Sequence, residues 1–515
     1  MQAENVLSKS IESIINEVTE FYVPQLHGEQ IEALKDVVEW YFDESQYHHI
    51  VLSGAAGTGK TYCTQRILQA INDVSAKAKG KRLRIAICAP THKAVSVLHE
   101  YAQEAGLHGA HISTIHSLLH VIPGDYDDHG NQKLKDNRHS SQPHASGFDL
   151  IWCDEASMLD DNLYDYTQKY RFLFTGDIYQ LPPSTKDTEE IPNNTLKLSP
   201  VFTLDLRQIR LTQLLRYDGE IAIFADRVRV DMERKYIKMP VSAGNITCLD
   251  TEDWENLFIE KLRQNPVDVR AIAFSNVAVN ALANKAKQQI FNDDAEYHVG
   301  EVLAAREMVS IKTRSYKGEW IDDVLLYSCQ EAEIHGIEEI QRKIPDSGIF
   351  VNCFKLDLHH EKRDFTLYTP TKAHLDKIVK PYLKQMKETI LVLPSGKRNG
   401  MWREYYEILK ALNLTQKGNS ILYRLAYAGT MTINQSQGSG YPHIFLNISN
   451  IMGCKVTEWR NRLIYTGATR AKKHLYLLCK NEDVRMKEIE TKTEPETFAR
   501  YTPRTVTTLF NGLFC

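Results

Sequence analysis

The chain of 515 residues lacks any long apolar run, so nothing in it reads as a membrane-spanning helix. It also lacks a C-x-x-C pair. Its 9 cysteines are dispersed and odd in number, which predicts free thiols in a reducing compartment, not a disulfide frame or a zinc site. Residues 1–20 mix charged and apolar side chains, without the basic start and apolar block of a secretory leader. The expected location is therefore the cytoplasm, that of the host if the chain is viral. There is no repeat at a solenoid period and no low-complexity tract. Neither charge sign dominates: 62 Lys and Arg stand against 66 Asp and Glu, a net charge of −4. That balance does not advertise nucleic-acid binding. It does not exclude it either, because the local charge of a cleft sets contact with phosphates.

What is present is the make-up of a globular protein, 43% hydrophobic and 25% charged, long enough for two to four domains. Its organising stretch is Val51-Leu52-Ser53-Gly54-Ala55-Ala56-Gly57-Thr58-Gly59-Lys60-Thr61. A strand ends, a glycine-rich turn follows, and a helix opens at Lys60 (expected over Tyr62 to Ala70). This is the pattern G-x-x-x-x-G-K-[ST]. The glycines let successive backbone N–H groups turn toward phosphate oxygens. Lys60 supplies a point charge, the Thr61 hydroxyl a ligand for Mg²⁺, and the helix N-terminus its positive end.

Around the loop the chain reads as alternating helices and strands. Residues 1–20 predict an amphipathic helix, with a second over Ile31–Tyr41. Gln30 precedes it. An amide can donate to and accept from an adenine edge, but its spacing alone favours a surface residue near a helix start. Leu83–Cys88 predicts a strand, followed by Pro90, Thr91, His92 and a helix over Lys93–Gln103. Ile112–Leu119 carries Thr114 and His116. Both threonines sit at strand-to-helix corners, where capping and a phosphate contact are compatible roles. Residues 121–147 are polar and turn-rich and predict a hairpin.

Asp149–Ser157 is the next decisive stretch: an apolar strand that delivers Asp154 and Glu155 at its end. Downstream of a phosphate loop, Asp154 is placed to hold Mg²⁺ and Glu155 to orient and deprotonate the attacking water. Gln180, after the strand Phe172–Asp177, suits a γ-phosphate sensor or is a polar loop residue. Leu211–Tyr217 opens a second α/β pattern, with a strand over Val269–Asn276 and a helix over Val277–Phe291. Residues 301–428 lose this rhythm for short β-like, charged runs. It returns with Gly429–Gly438, a strand over His443–Ile448, Leu463–Lys473 and a last strand over His474–Cys479. The adjacent pairs His48-His49 and His359-His360 favour a surface role over a metal site, since neighbours on a strand face opposite ways.

The ordered set Gly54–Thr61, Ala89–Ala94, Ser113–His116, Asp154–Ser157, Gly176–Pro183, Arg216, Thr432–Gly438 and Thr466–Lys472 resembles the superfamily 1 helicases, nearest the 1B branch. The match spans most of 25–300 and 429–480. The resemblance implies an α/β chain with two RecA-like domains and ATP in the cleft between them. It assigns 1–199 to the first domain, 200–300 and 429–490 to the second, 121–147 to an inserted pin, 301–428 to an inserted β-rich, SH3-like module, and 491–515 to a tail. It implies that Gln30 reads adenine. Gly54, Ala55, Ala56, Gly57, Thr58, Gly59, Lys60 and Thr61 would cradle phosphate, Thr61 and Asp154 would hold Mg²⁺, and Glu155 would activate water. Gln180 would couple γ-phosphate to DNA, and Gln437 and Gly438 would join nucleotide state to DNA grip. Arg216 and Arg470 would reach the γ-phosphate from the second domain; a guanidinium matches the charge spread in the transition state once the cleft closes. Pro90, Thr91, His92, Thr114, His116 and Thr432 would track single-stranded DNA.

The implied activity is 5′-to-3′ unwinding in phage-type replication or recombination, by a monomer acting on single strands and forks, with a single-strand binding protein or other replication proteins as partners. Two departures stand out. The pin tip, Asp127 to Asn131, is acidic and polar, which leaves a translocase that displaces bound proteins without separating strands as the other reading. Asn434-Gln435-Ser436 stands where relatives carry His-Lys, so one cation is lost and DNA affinity is expected to be less salt-sensitive.

Overall fold

The computed structural model describes residues 2–43, 48–107, 109–128, 132–136, 143–183, 197–215, 219–235, 237, 239–240, 242–314, 320–345, 347–417 and 420–479. The expected tail over 491–515 lies outside them, as do the pin-tip residues 129–131.

Among the described residues, three sheets of five or six strands stand beside three two-stranded ones. The first is formed by β1 (His49–Gly54), β2 (Ile85–Ala89), β3 (His111–Thr114), β6 (Leu150–Cys153), β7 (Phe172–Gly176) and β8 (Arg207–Leu211), in the order β3-β2-β6-β7-β1-β8. Every pairing in it is parallel. Strands β1, β2, β6 and β7 are buried almost from end to end, as a parallel sheet covered on both faces requires. Between β3 and β6 the chain leaves the sheet as a hairpin, β4 (Val121–Tyr126) and β5 (Gln132–Asp136).

The helix after β1 runs over Lys60–Lys79, longer than its sequence signal. It buries Cys63, Ile67, Leu68, Ile71 and Val74 and ends on Gly80 in the left-handed conformation. The N-terminal helix Gln2–Tyr22 lies against it, fastened where the Tyr22 hydroxyl donates to Asp73 Oδ2 at 2.7 Å.

The second sheet holds β9 (Ile246–Leu249), β10 (Val269–Ala273), β20 (Thr430–Thr432), β21 (Tyr441–Asn447) and β22 (Ala471–Leu478), all parallel, in the order β20-β10-β21-β22-β9. Helices Glu220–Val230 and Thr457–Ala468 cover one side of this core. Trp254 and Phe258, on the helix Thr251–Gln264, pack with Phe445 and Tyr476 on the other.

One expectation is corrected here. Strand β8 pairs with β1, Ile50 opposite Arg207 through Gly54 opposite Leu211, so the first sheet runs past residue 199. Arg207–Leu211 is a half-exposed edge strand, and its mixed pattern carries no signal for which sheet it joins.

The third sheet belongs to the stretch 301–428. It is made by β11 (Val302–Ala305), β14 (Glu331–Lys343), β15 (Phe350–His360), β16 (Arg363–Pro370) and β19 (Leu425–Tyr427), antiparallel throughout. The pairs β12 (Val309–Arg314) with β13 (Trp320–Leu326), and β17 (Leu414–Lys417) with β18 (Ser420–Tyr423), complete its strands. Two features differ from the sequence reading. Strands β14 and β15 are long, 13 and 11 residues. Helices Lys380–Val392 and Arg398–Ala411 carry a core of their own around Leu383, Ile390, Trp402 and Tyr405. Their apolar residues sit three or four apart among many charges, a spacing easily lost beside β-branched runs. Arg270 of β10 joins this unit to the second sheet through an ion pair with Glu331 at 2.5 Å.

Candidate nucleotide and DNA site

Parallel register aligns the C-terminal ends of β1, β2, β3, β6 and β7, the edge where open α/β sheets bind ligands. Ser53 lies opposite Gly176, Cys88 opposite Cys153, and Ala89 opposite Thr114. The phosphate loop, Thr91, Thr114, Asp154 and Asp177 therefore emerge along one line.

The loop after β1 has the shape of an anion cradle. A Cβ on Gly54 would stand 2.7 Å from Thr58 Oγ1 and 2.8 Å from the Leu211 carbonyl, so only glycine fits. Gly59 has φ +74°, and a Cβ there would stand 2.5 Å from Gln30 Nε2. Thr58 ties the turn by donating from Oγ1 to the Ala55 carbonyl at 2.9 Å. Lys60 Nζ donates to the carbonyls of Gly54 (2.6 Å) and Ala55 (2.9 Å), so its ammonium hangs over the cradle. Thr61 opens the helix directly after it. Gln30 is buried, not a surface residue; its Nε2 donates to the Thr58 carbonyl at 3.0 Å and its Oε1 accepts from His27 N. It thus sits against the phosphate loop.

Asp154 and Glu155 leave the end of β6. Asp154 Oδ1 accepts from Thr175 Oγ1 (2.6 Å) and from the Glu155 N–H (2.9 Å). Thr175 in turn accepts from the Trp152 indole N–H at 2.8 Å. A fully buried tryptophan on β6 therefore orients a hydroxyl on β7, which orients the carboxylate. Such outer partners fix the direction of a metal-binding carboxylate. Glu155 has φ +52°, a sparsely populated conformation for a side chain with a Cβ, of the kind concentrated at functional sites. Burial first, and then the charge of Asp154, push the Glu155 carboxyl up to about 7, while Arg470 and Lys60 oppose the rise. Burial also raises Asp154, against the hydrogen bonds that favour its charged form. The tight glycine cradle, the overhanging ammonium and the paired carboxylates fit a nucleoside triphosphate accompanied by a divalent cation.

The second lobe reaches this edge through four side chains. Tyr465, on the helix Thr457–Ala468, donates its hydroxyl to Asp177 Oδ2 at 2.5 Å and accepts from the Ala56 N–H of the phosphate loop at 3.0 Å. Asp177 itself accepts from Ala56 N at 3.1 Å and from Tyr179 N at 3.0 Å. Arg462 donates to the carbonyls of Gln180 (3.0 Å) and Ile178 and pairs with Glu458 at 2.8 Å. Gln437 Nε2 donates to the Leu181 carbonyl at 3.0 Å. The segment Asp177–Leu181 is thus gripped from across the cleft. The Gln180 side chain is buried there, and its Oε1 meets no partner among the described residues. Arg470 is buried, held by the carbonyls of Thr466 (3.0 Å) and Ser439 (3.2 Å), with its charge felt at Glu155. Arg216 lies outside the described residues.

The residues expected to meet a nucleic acid fall on the same rim. Thr91 and Thr114 are both N-caps, accepting from Ala94 N and Ser117 N, each at 3.2 Å. Among the described residues, neither hydroxyl donates to a partner. Pro90 and His116 are partly buried beside them. His92 stacks on Tyr327 of the 301–428 stretch, ring centroids 3.3 Å apart. Burial and the neighbouring His116 push His92 down to about 4, so its ring is neutral at physiological pH. Thr432 is buried and donates to Gln435 Oε1 at 3.2 Å, and Cys329 Sγ reaches the Gln435 carbonyl at 3.1 Å. A Cβ on Gly438 would stand 3.3 Å from Ala94 Cβ and 3.4 Å from Thr91 Oγ1. Gln437 and Gly438 therefore bridge the two lobes instead of touching the phosphate loop.

Tyr465, Arg462, Asp177, Thr175 and Tyr327 carried no role in the sequence reading. Asp177 had a usable signal, a carboxylate directly after a buried strand. The others depend on which strands and helices meet.

Two family models match the chain: an AAA domain over residues 40–186 and a UvrD-like helicase C-terminal domain over 427–478. The ATP-dependent DNA helicase Dda of Enterobacteria phage T4 is 28% identical over 313 residues, which is 59% of this chain and 66% of Dda. The uncharacterised protein R530 of Acanthamoeba polyphaga mimivirus is 30% identical over 501 residues, 84% of this chain and 96% of that protein. Among solved structures, the Pif1 helicase from Bacteroides in complex with ADP-AlF3 and ssDNA overlaps 88% of this chain and 93% of its own, with 14% identity and a TM-score of 0.38. The motif order, the two family models and the likeness to Dda agree, and the chain resembles the superfamily 1B helicases.

Proposed function

We propose that the protein is an ATP-dependent DNA helicase that moves 5′ to 3′ along single-stranded DNA and separates duplexes ahead of it. The observation that carries this reading is the split catalytic set. Lys60, Asp154 and Glu155 stand on one lobe, and Arg470 stands on the other with its charge acting on Glu155. A set divided in this way is complete only when the lobes are together, which is what a motor needs to tie hydrolysis to movement.

In this mechanism Gln30 reads the base of ATP and the loop Gly54–Thr61 wraps its phosphates. Thr61 and Asp154 would hold Mg²⁺, which would neutralise phosphate charge. Thr175 fixes the orientation of the Asp154 carboxylate. Glu155 orients the attacking water and accepts its proton; a carboxyl raised toward neutral pH suits that task. Arg470, with Arg216 expected beside it, complements the charge that spreads over the γ-phosphoryl oxygens. Asp177–Leu181 passes the change to the second lobe through Tyr465, Arg462 and Gln437. Thr91 and Thr114 on one lobe and Thr432 on the other hold successive stretches of the DNA backbone, so closing and opening of the cleft shifts the strand.

The hairpin β4–β5 serves as the separating pin. The Asp128 carboxylate accepts from Ser395 Oγ, and its carbonyl accepts from Arg398 Nη1 at 3.3 Å, so the acidic end of the pin is braced by the 301–428 stretch. Phage-type replication or recombination is the proposed setting.

The test is ATP turnover with and without single-stranded DNA, in the native protein and in Lys60→Ala. Strong stimulation by DNA in the first and none in the second is expected; equal turnover in both contradicts the reading. Replacing residues 124–132 by a short Gly-Ser turn separates helicase from translocase. Loss of unwinding with DNA-stimulated turnover intact is expected, and undiminished unwinding would remove the pin from the mechanism.

A further inference from the structure

The outer face of the third sheet carries a cluster of donors that the ATP and DNA chemistry does not use. Three neighbouring strands contribute. Glu333 on β14 lies opposite His359 on β15, and His359 lies opposite Asp364 on β16. The ladder between β14 and β15 shifts register between Ile334 and Gly336, and His335 is the extra residue of that bulge. The rings of His335 and His359 are parallel, with centroids 5.1 Å apart. Asp364 Oδ1 is 2.7 Å from His359 Nδ1. One donor atom each from His335, His359 and Asp364 lies within 4.8 Å of the other two. Glu333 adds a carboxylate 4.0 Å from His335 Nε2.

We propose that His335, His359 and Asp364 form a surface site for a divalent transition ion, best matched by Zn²⁺, with Glu333 in reach as a fourth ligand. Two imidazoles and carboxylate oxygens suit Zn²⁺, Ni²⁺ or Cu²⁺ and do not suit Mg²⁺, which prefers all-oxygen sites. Metal–ligand bonds of about 2.0–2.2 Å place tetrahedral donors roughly 3.3 Å apart. The observed spread therefore calls for a modest closing of side chains, and His335 and Asp364 are exposed enough to make it. An ion held by both His359 and Asp364 would take the place of the present contact between Asp364 Oδ1 and His359 Nδ1.

The competing account is a surface ion pair beside a stacked imidazole. It explains Asp364 and His359. It gives no reason for His335 to lie parallel on His359. A bound ion would clip β14, β15 and β16 together close to Glu331, the partner of Arg270 at the seam with the second lobe.

The test uses the whole chain, stripped with a chelator and then dialysed against Zn²⁺ alone at pH 7.5 and at pH 6. The native protein is expected to retain about one equivalent at the higher pH and less at the lower. His335→Ala and His359→Ala should each lose it, and His48→Ala, altered in the other histidine pair, should keep it. His359→Gln guards against a folding defect, read from unchanged melting without metal. Zn²⁺ should raise the melting temperature of the native protein and leave that of the two histidine variants where it was. Native protein that retains no Zn²⁺, or variants that retain as much as the native protein, would overturn the proposal.

Discussion

The two sides of the cleft are built differently. On the first lobe, Asp154 and Asp177 each follow directly from a strand of one parallel sheet, and Lys60 follows a third across the phosphate loop, so backbone register sets their positions. On the second lobe, Tyr465, Arg462 and Gln437 reach over on side chains from a helix and a turn, while Arg470, held within its own lobe, acts on Glu155 through its charge. One side is fixed by the fold and the other by contacts that can be broken and remade. On the proposed reading, the carboxylates and the phosphate loop lie on the first side, and the second side supplies Arg470 together with the coupling contacts. Substitutions on the first side should therefore remove hydrolysis. Those on the second should leave nucleotide binding and weaken the response to DNA.

The largest effect is expected from Lys60→Ala: at least a hundredfold or so lower ATP turnover, the scale for removing one preorganised charge, with an unchanged circular dichroism spectrum. Residual turnover near the native rate would break the division between the sides. Thr175→Val comes next. It takes the hydroxyl from Asp154 and leaves the Trp152 indole N–H unpaired in the core. The Mg²⁺ concentration for half-maximal turnover should rise about 10- to 100-fold, with about 1–3 kcal/mol lost from stability.

Tyr465→Phe tests the other side. Losing two hydrogen bonds of about 1 kcal/mol each should lower DNA-stimulated kcat by roughly 5- to 30-fold, with KM for ATP unchanged. A rise in KM with kcat intact would move Tyr465 into nucleotide binding and blur the comparison. The smallest effect concerns the DNA rim. Since burial keeps His92 neutral until pH falls toward about 4, the salt dependence of single-strand binding should be the same at pH 8 and pH 6. A steeper salt slope at pH 6 would mean that these rings bind phosphate as cations.

The same contrast explains what the sequence made legible. The phosphate loop and Asp154-Glu155 are contiguous, and their chemistry fixes their spacing, so they could be read directly. Thr91 and Thr114 were legible as caps, because capping is local. The Trp152–Thr175–Asp154 chain was not, since it exists only once β6 lies beside β7. Gln30 looked like a surface residue until the loop was packed against it. Strand β8 was placed in the wrong lobe because an edge strand has no continuous apolar face. In the 301–428 stretch, helices with charged faces were taken for β-like runs. The adjacent histidines His359-His360 gave no hint of His335 and Asp364, which only the pairing of β14, β15 and β16 brings near.

The central claim is that hydrolysis in this divided cleft drives directional strand separation. Its most direct test is unwinding of two partial duplexes, one with a 5′ single-stranded tail and one with a 3′ tail, in the presence of ATP and Mg²⁺. The account predicts separation of the 5′-tailed duplex alone. Separation of the 3′-tailed duplex alone, or of neither while DNA-stimulated hydrolysis persists, would contradict it.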